Sequence, residues 1–472
     1  MIKLFFLNIA FVSATAMASD KFTLTEYLEQ VKKNSPEVQS TYLNVVSLEK
    51  RVDEADLVIA PVGYAAWNHS YDEKPTSNPS FQGTKSVADS ILLGVKKETL
   101  FGLSADLSMD RTNYDFSDAT ALPEEKYTDS RISLKLNQSL WKNGFGEMAR
   151  AENKAVKAAI RAELMAAKFK YRNLMIQAEN TYWYLASLQQ IVKLQQDNVD
   201  SAEKLSKWMA GRQKLNLVDD VESLQTQAAL QARDLELQQS KDLLSQTRHQ
   251  FYTLLGKAET AGEGDIELQP LPEKEWADQL KALKQTKHYR EDFEALRAQA
   301  KAEEAKTVSM RSSLRPQLDL QASYSSNARD VKERDSYKEI EDFEQPTWTV
   351  GVKFSVPLDF GLMNRLKRGS ESKIASSKLA YEQASFEEER TWDDLVRMRK
   401  EAQARFEKAV NLEKLRTKLV ERERRRHRSG RTTTFQAITN EQDLASSQVL
   451  RIQSQLNLIR AHNQIKVFVE AL

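Results

Sequence analysis

The chain has 472 residues, 29% of them charged and 40% hydrophobic, with a formal net charge of +1 and a mean hydropathy of −0.59. That polarity excludes a bundle of membrane-spanning helices, the apolar and aromatic content excludes disorder, and the charge balance implies no bulk pull toward nucleic acid or anionic lipid. Cysteine is absent, which also excludes disulfides, thiolate metal sites and a lipid-modified N-terminal cysteine.

The first residues read as an export signal. Lys3 supplies the positive start, Leu4 to Val12 the apolar stretch, and Ala16-Met17-Ala18 the small-x-small cleavage pattern, so residues 1–18 are predicted to be removed between Ala18 and Ser19. The apolar stretch is far shorter than the ~20 residues a bilayer span needs. Membrane attachment would then have to come from the fold itself.

Next comes a predicted helix over 23–59, in which Pro36 is tolerable in a first turn or at a kink. A β region follows over 61–141. Residues 62–71 and 89–97 are the weaker strand candidates. Leu103, Ala105, Leu107 and Met109 alternate with polar neighbours, as do Ile132, Leu134 and Leu136.

Helices are predicted over 145–255. Residues 147–210 hold no glycine or proline and read as one helix about 90–100 Å long at 1.5 Å per residue. Tyr171, Leu174, Ala178, Tyr182, Leu185, Leu188 and Val192 recur along it at three- and four-residue steps, a seam for another helix. A turn around Gly211-Arg212 leads to a helix over 214–255.

After a linker over 257–275, the pattern recurs: a helix over 276–314, a β region over 316–358 and helices over 361–470, of which 370–429 again lacks breakers. Leu318, Leu320, Ala322 and Tyr324 alternate, and so do Trp348, Val350, Val352, Phe354 and Val356. Such strands fit a soluble sheet with one wet side or a barrel wall in lipid. The barrel is preferred, because a soluble sheet needs a core to lie on and the helices offer only narrow seams. Trp67, Tyr71, Trp141, Tyr324 and Trp348 are candidate interfacial aromatics.

Self-comparison shows a tandem duplication. Pro61 corresponds to Pro316 at an offset of 255 residues, whereas Leu140 to Gly144 and the Gly211 turn correspond to Leu358 to Gly361 and the Gly430 turn at offsets near 218. The first repeat is 19–256 and the second 276–472. The first β region is about 37 residues longer, and the excess includes 86–115, a strand pair, a loop or a flap.

Three local patterns carry a family resemblance. They are the strand-to-helix junctions Val356-Pro357-Leu358-Asp359-Phe360-Gly361 and Gln138-Ser139-Leu140-Trp141-Lys142-Asn143-Gly144; the helix-to-strand junction Arg315-Pro316-Gln317-Leu318; and the turns at Gly430 to Asn440 and Asp220-Val221. At these spacings the chain resembles the TolC-like outer-membrane efflux proteins of Gram-negative cells, over nearly its whole mature length. The resemblance implies a mainly α fold with membrane β-strands: long helical hairpins forming a periplasmic tunnel, and strands contributing to a trimeric barrel. It also implies a passive duct for small-molecule efflux or type I protein secretion, served by a periplasmic adaptor (membrane fusion) protein and an inner-membrane pump of RND or ABC type. One protomer could not close a barrel, since about eight strands are needed.

The same resemblance places the gate and adaptor contacts at the helical tips, on Gly211, Arg212, Asp219, Asp220, Arg428, Gly430, Arg431 and Gln436. It places the strand–helix junctions on Pro61, Gly144, Pro316, Pro357 and Gly361. The family's ring of aspartates falls on Gln436 and Thr439 and its latch on His427 and Thr432, so the acidic entrance is not carried over. Instead Arg422, Arg424, Arg425, Arg426, Arg428 and Arg431 crowd the second tip. These cations can simply complement a helix C-terminus, or they can bind an acidic adaptor or Asp219 and Asp220 of a neighbouring tip. Nucleic acid does not suit an exported protein. The five histidines have no metal-ligand spacing, and no nucleophile, phosphate-loop or dinucleotide motif occurs, so neither a cofactor nor an enzyme is expected. A periplasmic coiled-coil scaffold without a pore is the alternative.

Overall fold

A computed structural model of the chain describes residues 22–215, 218–257, 266–272, 290–332, 335, 336, 340, 343 and 345–468. The signal with its Ala18–Ser19 cleavage point, most of the 257–275 linker, residues 276–289 of the predicted helix and residues 469–470 lie outside them.

Helix α1 (Leu24–Asn34) starts at a reciprocal cap: Thr23 N–H donates to Glu26 Oε2 at 2.9 Å, and Glu26 N–H to Thr23 Oγ1 at 3.2 Å. Pro36 forces the preceding Ser35 out of helical geometry, so the helix expected over 23–59 is instead α1, α2 (Pro36–Arg51) and a tight 3-10 segment, Val52–Ile59. Strands β1 (Val62–Asp72), β2 (Lys85–Glu98), β3 (Leu103–Ser117) and β4 (Lys126–Ser139) follow. The long α3 (Glu147–Lys214) and α4 (Asp220–Leu254) complete the first half. The second half runs α5 (Glu291–Ser313), β5 (Gln317–Asp330), β6 (Pro346–Ser355), α6 (Phe360–Arg428) and α7 (Thr434–Lys466).

The turn expected at Gly211-Arg212 falls inside α3, which continues to Lys214. An isolated helical glycine costs only ~1 kcal/mol relative to alanine, less than its flanking good helix formers supply together. Gly369 is likewise carried within α6.

Contacts divide the chain into two compact units that interleave along the sequence. The described residues within 1–44, 167–290 and 387–472 form one, and those within 45–166 and 291–386 form the other. In the first, the predicted seam is buried: Tyr171, Leu174, Ala178, Tyr182, Leu185 and Leu188 pack with Tyr27, Phe251 and Ile459. Tyr27 stacks on Phe251 with ring centroids 4.3 Å apart. The Tyr182 hydroxyl donates to Phe22 O at 2.5 Å and accepts from Gln269 N–H at 3.1 Å. The segment around Gln269 thereby lies across α3.

The second unit holds one antiparallel meander in the order β1-β2-β3-β4-β5-β6, leaving β1 and β6 as its edges. All the predicted strands are present. Residues 86–115 are the β2–β3 hairpin, full members of the sheet.

Candidate functional site

Two regions answer to the predicted function, and each is built within one unit. The first is the sheet. Because side chains alternate at a period of two, register decides which residues share a face. Val95, Leu107, Leu134, Tyr324 and Trp348 stand side by side across five strands. Ala65, Leu93, Met109 and Ile132 form the next row, and Ala105, Leu136, Ala322 and Val350 the row before. This apolar face is bare: Trp348 is 72% exposed and Val352 66%. Trp67 and Tyr71 share it, whereas Trp141 lies in the junction after β4. The opposite face is polar and internally bonded. Tyr64 Oη donates to Asp106 Oδ1 at 2.8 Å, Ser133 and Ser325 hydroxyls meet at 2.9 Å, and Arg131 Nε donates to Asn327 Oδ1 at 2.8 Å. Arg329 grips Asp129 through two nitrogens at 2.6 and 2.8 Å.

The strand–helix junctions differ between the halves. After β4, Asn143, Phe145 and Gly146 all adopt positive φ, so the chain coils tightly before α3. A Cβ on Gly146 would sit 1.9 Å from Leu100 O in the β2–β3 turn. Gly144, the predicted junction glycine, has nothing within 4 Å of its Cβ position. The requirement for glycine therefore falls on Gly146, which sequence reasoning passed over. Pro61 precedes β1 and Pro316 precedes β5, where the Pro316 carbonyl accepts Lys142 N–H at 3.0 Å. Pro357 follows β6, and Gly361 sits in the first turn of α6, whose Leu362 N–H bonds Asp359 Oδ1 at 2.8 Å.

The second region is formed by the ends of α3, α4, α6 and α7. Gly430, at φ +68°, closes α6: its N–H bonds His427 O at 3.0 Å and Arg431 N–H bonds Arg426 O at 2.9 Å, the Schellman arrangement. Thr433 then caps α7 by accepting Gln436 N–H at 3.2 Å, leaving the Gln436 side chain exposed. Asp219 occupies the N-cap position of α4. Asp220 Oδ1 accepts from Gln213 at 2.6 Å. Arg212 lies over the Trp208 ring at 4.9 Å, and His427 meets the same ring edge-on at 5.6 Å.

Trp208 and His427 line a cavity of about 570 Å³ together with Lys204, Arg424, Arg428 and Glu441. Arg424 Nη2 donates to Glu441 Oε2 at 2.9 Å while its Nε reaches the other oxygen; that pairing holds the Arg424 guanidinium even more firmly charged than usual. Neither Trp208 nor Glu441 is singled out by the sequence as a site residue. A lone tryptophan near the end of a polar helix was the available signal. Among the described residues no cluster of metal-ligating side chains occurs, and no helix is long and apolar enough to cross a membrane.

This pairing of very long helices with a two-faced antiparallel sheet is the fold of TolC-like outer-membrane channels. It superposes on the Campylobacter jejuni CmeC outer membrane channel with a TM-score of 0.67 at 14% identity, over 98% of this chain and 93% of that one. For the outer-membrane channel OprN the values are 0.67 and 16%, over 94% and 89%; for the Vibrio cholerae outer membrane protein VceC they are 0.65 and 14%, over 93% and 96%. Residues 282–468 match the outer membrane efflux protein family. No curated protein matches the sequence. The second half of the chain thus carries an outer membrane efflux protein domain, and the chain as a whole has the fold of TolC-like outer-membrane channels.

Proposed function

We propose that this chain is one protomer of a homotrimeric outer-membrane duct, a passive exit fed by an inner-membrane pump through a periplasmic adaptor. One observation carries the reading: the sheet exposes a continuous apolar face, bonds its polar face internally and leaves both edges unpaired. In lipid, unpaired edge groups cost several kcal/mol each, so closure with further copies is the way to satisfy them. The apolar face suits lipid in height as well. From the Phe354 row to the Trp67 row is about 33 Å along the strands, or about 25 Å of height at a ~40° tilt, the thickness of a barrel's apolar band.

The helical ends around Gly211, Asp220, Arg428, Gly430 and Arg431 serve as the periplasmic entrance and adaptor contact. With Gln436 and Thr439 where the family's acidic ring would fall, the arginines make this entrance basic and anion-preferring. Cargo is small molecules or secreted polypeptide.

Fractionation and planar-bilayer recording test the proposal together. The duct should sediment with outer membranes, migrate as a heat-dissociable trimer and conduct, with anions favoured in asymmetric salt. Recovery in the soluble periplasm would sink it in favour of a coiled-coil scaffold. Cation preference would overturn the basic entrance alone.

A further inference from the structure

The two halves contribute unequally to the sheet. The second half supplies β5 and β6, while the first supplies β1 and β4 with the β2–β3 hairpin inserted between them. Nothing marks the hairpin as a flap. It is in register with β1 from Val62↔Lys96 to Asp72↔Ser86 and with β4 from Leu103↔Gln138 to Asp115↔Lys126. Its Leu93, Val95, Leu107 and Met109 continue the exposed apolar face, and its Asp106 joins the polar one through Tyr64. Its turn is tied to the base of the sheet, where Leu100 O accepts from Arg150 at 2.9 Å. Adding a hairpin also preserves strand alternation: β6 of one copy would meet β1 of the next antiparallel, so copies can close a ring.

We infer that the assembled duct has an eighteen-stranded barrel, six strands from each of three copies, and that this wide exit admits bulky cargo up to folded polypeptide. The inference rests on the trimeric reading above. A chain without the hairpin would give four strands, and three chains twelve. At ~4.8 Å between strands and a ~40° tilt, eighteen strands close at a backbone diameter of about 36 Å and twelve at about 24 Å. Inward side chains take roughly 5 Å from each wall. The free width is then about 26 Å against about 14 Å, room for a pair of packed helices of ~10–12 Å each rather than one. The barrel ceases to be the size filter, and selection passes to the helical ends.

Single-particle imaging of the purified full-length protein in lipid nanodiscs decides the matter. The expected result is a trimer with eighteen wall strands. A trimer with twelve, the hairpins lying outside the wall, would overturn the inference while leaving the duct intact; a particle that is not a trimer would bring down the trimeric reading itself. A deletion of residues 85–117 supplies the second measurement. Its new ends are already adjacent, Thr84 Oγ1 donating to Asp118 Oδ2 at 2.7 Å, so the splice needs little rearrangement. Since diameter scales with strand number, the deletion should shrink the barrel cross-section roughly two-fold. Polyethylene glycol added from the barrel side should then be excluded at a smaller size. An unchanged polymer cut-off in a folded deletion trimer would also overturn the inference.

Discussion

Tyr64 of β1 reaches across the whole of β2 to bond Asp106 of β3 at 2.8 Å, and it can do so because the residue beneath its ring is Gly94. A Cβ on Gly94 would lie 2.3 Å from the Tyr64 ring. The glycine is thus a seat for an aromatic side chain that ties three strands together. Gly94→Ala should displace the ring and cost about 1 kcal/mol, the worth of one hydrogen bond. Tyr64→Phe should cost as much, and the double variant no more than either alone, because both remove the same contact. Thermal unfolding of the purified protein measures this. Additive losses would contradict it.

Gly146 and Gly369 should respond in opposite directions to the same substitution. Gly146→Ala meets a backbone carbonyl that cannot swing away, at a positive φ, so destabilisation on the order of 4 kcal/mol and loss of folded protein are expected. Gly369→Ala enters open space within a helix and should stabilise by ~0.5–1 kcal/mol. Yield of heat-modifiable protein and its dissociation temperature report both.

At the helical ends, Gly430→Ala places an L-residue in the left-handed region and should cost ~1–2 kcal/mol locally, with Gly430→Asn milder because asparagine tolerates that region. Nothing crowds its Cβ position, so the cost is conformational. Hydrogen exchange of the last turn of α6 should rise in the alanine variant. Unchanged exchange would show that Gly430 is not what holds the turn.

His462 provides a pH dependence. It is buried on α7, and burial first, then the cations Lys466 and Arg399, push its imidazole down to about 3. The folded state keeps it neutral while the unfolded state takes up a proton near pH 6.5. Its contribution is therefore complete above pH ~6.5 and is lost as pH falls toward ~3, by up to ~1.4 kcal/mol per unit. The stability difference between the native chain and His462→Gln should shrink over that window. Parallel curves would refute the assignment.

Much of the fold was legible because its signals are local. Val350 and Val352 flank Gly351 on opposite terms from Thr349 and Lys353, and that alternation alone predicts a two-faced strand. The breaker-free runs announced α3 and α6 for the same reason, since helix formation is written in near neighbours. The helical ends were legible only in part. Arg428, Gly430 and Arg431 could be placed at a turn, but Gly211 misled, because whether a glycine ends a helix depends on whether the residues beyond it can continue one.

Sequence by itself determined the periods and the polarity of each strand face, both properties of residues a few positions apart. Only the tertiary structure decided that the β2–β3 hairpin is a full member of the sheet, that Gly146 rather than Gly144 must be glycine, that His462 is buried among cations, and that Trp208 meets His427. Each of those joins residues far apart in the chain, and no local pattern encodes which distant backbone will arrive beside which side chain.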